Sequence, residues 1–96
     1  MTRISWTLQA LDDVESIRRY VARDSEEYAA LLVARFLQAV ERLSDFPVSG
    51  RIVPEVGDAQ LREVISGSYR IVYRVVEGEI AIVTVHHGAR LLRFPP

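Results

Sequence analysis

Cysteine, lysine and asparagine are all absent from these 96 residues. Without cysteine there is no disulfide, no thiolate nucleophile and no thiolate zinc site. Without lysine there is no Schiff base, no phosphate-loop lysine and no Ser-Lys dyad. All 12 basic residues are arginine, which offers a permanent charge and a planar fork suited to carboxylate or phosphate. No apolar run approaches the roughly 20 residues that span a bilayer. The opening MTRISW lacks the apolar core of a signal peptide, so the expected location is the cytoplasm. A charge excess is missing too: the formal net charge is −1. Nucleic-acid binders show a basic excess or stripe, so direct sequence-specific DNA binding by this chain is not expected.

What is present suits one domain over residues 1–96. Hydrophobic residues make up 49% of the chain, and a chain this short buries roughly 60–70% of its unfolded surface. Residues 4–8 alternate apolar and polar, which predicts a short strand with Ile4, Trp6 and Leu8 inward. Ala10, Val14, Ile17 and Val21 then recur at helical spacing. Asp24 and Ser25 interrupt that pattern, and Ser25 is placed to cap a second helix that begins with Glu26 and Glu27. Leu32, Phe36, Val40 and Leu43 form its apolar stripe, and Pro47 ends it. Two helices so close in sequence predict an antiparallel hairpin.

Residues 47–60, PVSGRIVPEVGDAQ, read as a long loop, and loops of that length are often functional. Residues 61–90 then hold three runs of β-branched and aromatic residues, broken at Gly67-Ser68 and at Glu77-Gly78-Glu79. These breaks predict three strands and two hairpins. The expected fold is therefore α+β: an N-terminal strand and a two-helix antiparallel hairpin packed on a small antiparallel sheet. Tyr69, Ile71, Tyr73 and Val75 share one face of the middle strand, and Arg70, Val72, Arg74 and Val76 the other. The helices cover one face. The second is expected to lack cover within the chain, apart from the tail at 91–96.

His86 and His87 are the obvious acid-base candidates, since histidine titrates near neutral pH. Adjacent strand residues point to opposite faces. That separation, with no cysteine, argues against a metal site, and no cofactor is expected. Ser49, Ser66 and Ser68 stand beside glycines in turns, with an ordinary backbone role. The arginines on the strands leave two readings open. They pair with Glu55, Glu63, Glu77 and Glu79 as surface ion pairs of about 0–1 kcal/mol each, or they receive a partner's carboxylates or RNA phosphate.

An ordered set of residues resembles the RelE/ParE superfamily of bacterial type II toxins over nearly the whole chain. It comprises Trp6 and Ala10, then Asp13, Ile17 and Tyr20, then Leu43 and Pro47. It continues with Gly50-Arg51, Pro54-Glu55 and Arg62-Glu63, with the run from Tyr69 to Arg74, and with His87-Gly88-Ala89-Arg90. The resemblance implies two helices on a small antiparallel sheet, and a toxin neutralised by a cognate antitoxin whose C-terminal segment folds along it. It leans to the ParE-like branch, known as poisons of DNA gyrase. On that reading there are no catalytic residues, and Arg62, Tyr69, Arg70, Tyr73, Arg74, His87, Arg90 and Leu92 form the partner-binding set. The RelE-like alternative is a ribosome-dependent mRNA endoribonuclease, for which His86, His87, Arg51, Glu55, Arg62 and Tyr73 are the candidates. A degenerate member that only binds antitoxin is the third reading.

Overall fold

The computed structural model describes residues 2–88. In chain order the elements are β1 (Arg3–Trp6), α1 (Leu8–Ala22), α2 (Glu26–Arg42), β2 (Arg51–Ile52), β3 (Leu61–Ser66), β4 (Tyr69–Val76) and β5 (Glu79–His87). The strands form one five-stranded sheet in the order β1-β5-β4-β3-β2. Both helices begin at hydroxyl caps. Thr7 Oγ1 accepts from the Ala10 amide at 3.0 Å, and Ser25 Oγ accepts from the Tyr28 amide at 3.1 Å. Each cap satisfies an amide that the helix's own bonding leaves orphaned. The Thr7 hydroxyl also donates to Val83 O at 3.0 Å, tying the start of α1 to β5. Leu8 therefore opens α1 and is 81% exposed; the strand alternation expected to carry it inward stops at Trp6.

The hairpin turns fall at the expected glycines, with Gly67 at φ 59°, as a first central turn residue in positive φ requires. The sheet differs from a purely antiparallel one. β1 runs parallel to β5, with Ile4 beside Ile80 and Trp6 beside Ile82, while β5-β4-β3-β2 is antiparallel throughout. Local spacing carries no information on this pairing, because the helix hairpin, the loop and three other strands separate β1 from β5.

Phe36, Leu32 and Val40 of α2, its C-cap Leu43 and Ala10 of α1 pack on Ile71, Tyr73, Ile80, Ile82 and Val85 of the sheet. β5 keeps its helix-facing residues aligned through a bulge: Val72 pairs with Thr84 and Tyr73 with Ile82, leaving Val83 as the extra residue. Asp13 of α1 serves that irregularity. Its carboxylate accepts from the Thr84 hydroxyl at 2.5 Å and from the Val85 amide at 3.0 Å.

The middle of the second face is covered, which was not expected, while Ile65 and Val76 on the same face stay exposed. The loop at 47–60 is not structureless. It contributes β2 and then folds over the sheet, burying Val53 with Leu61 and Val72 in a second small core to which Val83 adds. A β-strand with two apolar faces needs cover on both, and here the chain supplies it locally. The tail at 91–96 lies outside the described residues.

Candidate partner-binding face

Arg70 lies at the centre of the loop-covered face. It is buried, at 5% exposure, and so is Glu63 of the neighbouring strand, at 1%. Arg70 Nε donates to Glu63 Oε1 at 2.7 Å, and its Nη2 bonds the same carboxylate. Its two terminal nitrogens also grip Glu55 of the loop, at 2.7 and 2.8 Å. Arg51 Nε donates to the other Glu63 oxygen at 2.6 Å. Arg51, Glu63, Arg70 and Glu55 thus form one charge-balanced chain, tied by charge-assisted bonds. The hydrogen bonds Arg70 donates to Glu55, followed by those to Glu63, hold its guanidinium still more firmly protonated than usual. The arginine–glutamate pairing expected at the surface therefore exists, built around a buried Glu63–Arg70 pair with Arg51 exposed at its outer end. β3 places Leu61, Glu63 and Ile65 on this face, opposite Arg74, Val72 and Arg70.

The other residues singled out in the sequence fall into distinct environments. Tyr73 is fully buried, at 0% exposure; its hydroxyl donates to Pro47 O at 2.8 Å and accepts from the Gly50 amide at 3.0 Å. Burial raises its pKa. Arg62 spends its guanidinium on loop carbonyls, Ala59 O and Gly50 O, each at 3.0 Å. Tyr69 meets Phe36 edge to face with centroids 5.3 Å apart, and His87 at 5.5 Å. Its pKa is raised by burial, then by the nearby Tyr28 and Tyr20 hydroxyls. Arg74 is half-exposed, 3.8 Å from Asp58. Arg90 and Leu92 lie outside the described residues.

The two histidines do part company. His87 pairs across the strand with Tyr69, on the helix side, and His86 with Arg70, on the loop side. His86 Nε2 is enclosed without a hydrogen-bond partner, and burial, then the charge of Arg70, lowers the His86 pKa. Both histidines line a cleft of about 680 Å3 between α1 and the end of β5, with Ile17, Tyr20 and Tyr69. Among the described residues no group of three or more His, Asp or Glu could hold a metal ion. No helix there is long and apolar enough to cross a membrane.

Glu63, Gly50 and Asp13 are the structural keystones not singled out in their roles by spacing alone. Glu63 carries one faint signal, a charge on the inward row of β3 between Leu61 and Ile65. Gly50 carries none. A Cβ there would lie 2.6 Å from Glu63 O and 2.7 Å from Tyr73 Oη, so only glycine admits this approach.

Comparison with known proteins decides the family. Residues 4–92 match the model of the family described as "ParE toxin of type II toxin-antitoxin system, parDE". The chain belongs to the ParE toxin family. It is the toxin component of a type II toxin-antitoxin system, a class in which the partner is an antitoxin. It is 36% identical over 92 residues to toxin RelE2 of Caulobacter vibrioides, covering 95% of this chain and 100% of that one. It is also 36% identical over 88 residues to putative toxin Y4kP of Sinorhizobium fredii, covering 90% and 88% of the two chains. A chain of the chromosomal ParDE system of P. aeruginosa shares the fold, with a TM-score of 0.74 at 23% identity, covering 91% of this chain and 96% of that one. Two helices on a five-stranded sheet are thus the architecture of this ParE-family toxin and of that structure.

Proposed function

We propose that this toxin acts in the cytoplasm by poisoning DNA gyrase, without cutting nucleic acid itself, and that its cognate antitoxin neutralises it by folding along its surface. One observation supports this reading over mRNA cleavage. The residues that would serve an RNA-cleaving site are committed to internal bonds or set apart. Arg51, itself exposed, spends its Nε on Glu63, Glu55 grips Arg70, Arg62 holds loop carbonyls, and the Tyr73 hydroxyl is sealed between Pro47 and Gly50. His86 and His87 sit in different cross-strand rows and share a cleft beside α1 that Arg51, Glu55, Arg62 and Tyr73 do not line. General acid-base catalysis needs a base within hydrogen-bond reach of its substrate, and phosphate stabilisation needs cations aimed at the reacting group.

The test pairs two assays on purified toxin. Gyrase supercoiling should be inhibited, with cleaved DNA trapped, while mRNA on translating ribosomes stays intact. Fresh cuts in ribosome-bound message, lost in His86→Ala or His87→Ala, would establish the RelE-like activity instead. For the antitoxin we propose contacts at the exposed Arg74 and His87, with Arg90 and Leu92 as further candidates from the sequence. Tyr69 supports His87 from the helix side, while Arg70, Arg62 and Tyr73 act through the loop bonds they make. Arg74→Glu combined with Arg90→Glu should weaken antitoxin binding, and unchanged affinity would remove this placement.

A further inference from the structure

The covering loop is fastened unevenly. Its root is built in: Gly50 fits under Tyr73, Arg62 holds the Gly50 carbonyl, and Val53 is buried. Beyond Val53, every residue from 54 to 60 is exposed. The one large apolar side chain of this strap, Val56, is 44% exposed. Most of the strap's backbone bonds stay within the loop: Val56 N and Gly57 N reach Val53 O, and Leu61 N reaches Asp58 O. Its far end is tied to the sheet where Val75 N donates to Gln60 O at 2.8 Å. Its middle is held by carboxylates, firmly by Glu55 on Arg70 and loosely by Asp58 on Arg74 at 3.8 Å, and Arg62 Nε adds one bond to Ala59 O at 3.0 Å. A segment with so few buried apolar contacts opens at low free-energy cost.

Arg70 tolerates that opening, because Glu63 still pairs it from below. Lifting Glu55 takes one negative charge away from Arg70, and Arg74 lies two positions past Val72 on the same strand face. The uncovered surface would present two guanidinium groups flanking apolar Val72 and Leu61. Bidentate pairing of Arg70 with a carboxylate is already realised by Glu55.

We propose that residues 54–60 are a displaceable strap, and that Glu55 holds, in the free toxin, the seat on Arg70 that an acidic side chain of a partner peptide takes in the complex. A peptide fits better than RNA. The buried Glu63 carboxylate under the seat repels a run of phosphates, the floor is apolar, and the chain's net charge is −1. The seat stands whatever the toxin's target is; it rests on the antitoxin reading only for the identity of the natural peptide.

Amide hydrogen exchange and NMR titration of the full chain test it, with hexaglutamate as probe and hexauridylate as its counterpart. Amides at 54–60 should exchange through local opening, far faster than those of β3 and β4. Hexaglutamate should shift the Arg70 Nε–H and the 54–60 amides saturably, and less so at high salt. Glu55→Gln with Asp58→Asn should bind it more tightly, by about tenfold if the strap is open about a tenth of the time. Three results would overturn the proposal: exchange at 54–60 only through global unfolding, no tighter binding by the folded variant, or shifts at Arg70 with hexauridylate but not hexaglutamate. If the variant does not fold, the wild-type exchange and titration decide alone. Gyrase activity enters none of these measurements, so failure here and failure of the target reading are separable.

Discussion

Gly50 shows how much a single position can carry. Its missing side chain lets the loop root close on Tyr73 and on the β3 backbone, and the Tyr73 hydroxyl then bridges Gly50 and Pro47. Adding a methyl there forces backbone to move, because one of the clashing atoms is a carbonyl oxygen. Gly50→Ala should therefore cost about 1–3 kcal/mol in urea unfolding. Gly57→Ala makes an instructive contrast, since only its positive φ of 75° opposes the change and no atom lies within 4 Å. His86 makes a second prediction at this scale. Burial, followed by Arg70, lowers its pKa, while Asp13, Glu55 and Glu63 pull the other way. The unfolded chain thus takes up its proton first as pH falls. The stability that neutral His86 supplies is complete above about 6.5, the unfolded value, and is lost as pH falls through the lower folded value. His86→Gln should flatten that part of the stability–pH curve, measured as denaturation midpoint against pH. An unchanged slope would show that His86 titrates alike in both states.

Among the elements, α2 carries the core and α1 steers the sheet. The α2 stripe of Leu32, Phe36 and Val40 was legible because its spacing is helical, and the structure buries all three. Phe36→Ala should cost about 3–5 kcal/mol, and Arg35→Ala or Arg42→Ala within about 0.5 kcal/mol. Equal costs at Phe36 and Arg35 in urea unfolding would contradict this packing. The role of α1 was only half legible. Its inward row of Ala10, Val14, Ile17 and Val21 follows from spacing, and all four join the main core. The plugging of the β5 bulge by Asp13 does not, since it links residues about 70 positions apart. The element read least well was the loop at 47–60. Its prolines and glycines announced irregular backbone, yet Val53, Glu55 and Arg51 each found a partner on the sheet. Such partners are fixed by where the loop crosses, which composition does not encode.

At the scale of the whole molecule, the chain is a ParE-family toxin whose sheet is packed by helices on one face and covered in its middle by a loop on the other. That cover changes the meaning of its arginines. Arg62 and Arg70 read from sequence as a docking face open to a partner; in the fold they hold the loop down, and Arg74 stays half-exposed beside them. The gyrase and ribosome assays belong at this scale, because a target is met by a surface rather than by a residue.

The sequence by itself determined the element types and their order, the helix-facing stripes, the hairpin breaks and, through the ordered motif set, the toxin superfamily. These rest on periodicity, capping and turn chemistry, which act over a few residues and so leave a local trace. The tertiary structure alone decided that β1 runs parallel to β5 and that the loop covers the second face. It also decided that Glu63 is buried between Arg51 and Arg70. Each of these is a contact between distant segments, set by which surfaces remain to be covered once the helices have packed. That packing buries the Glu63–Arg70 pair and leaves Arg51 and Glu55 to join it from the outside.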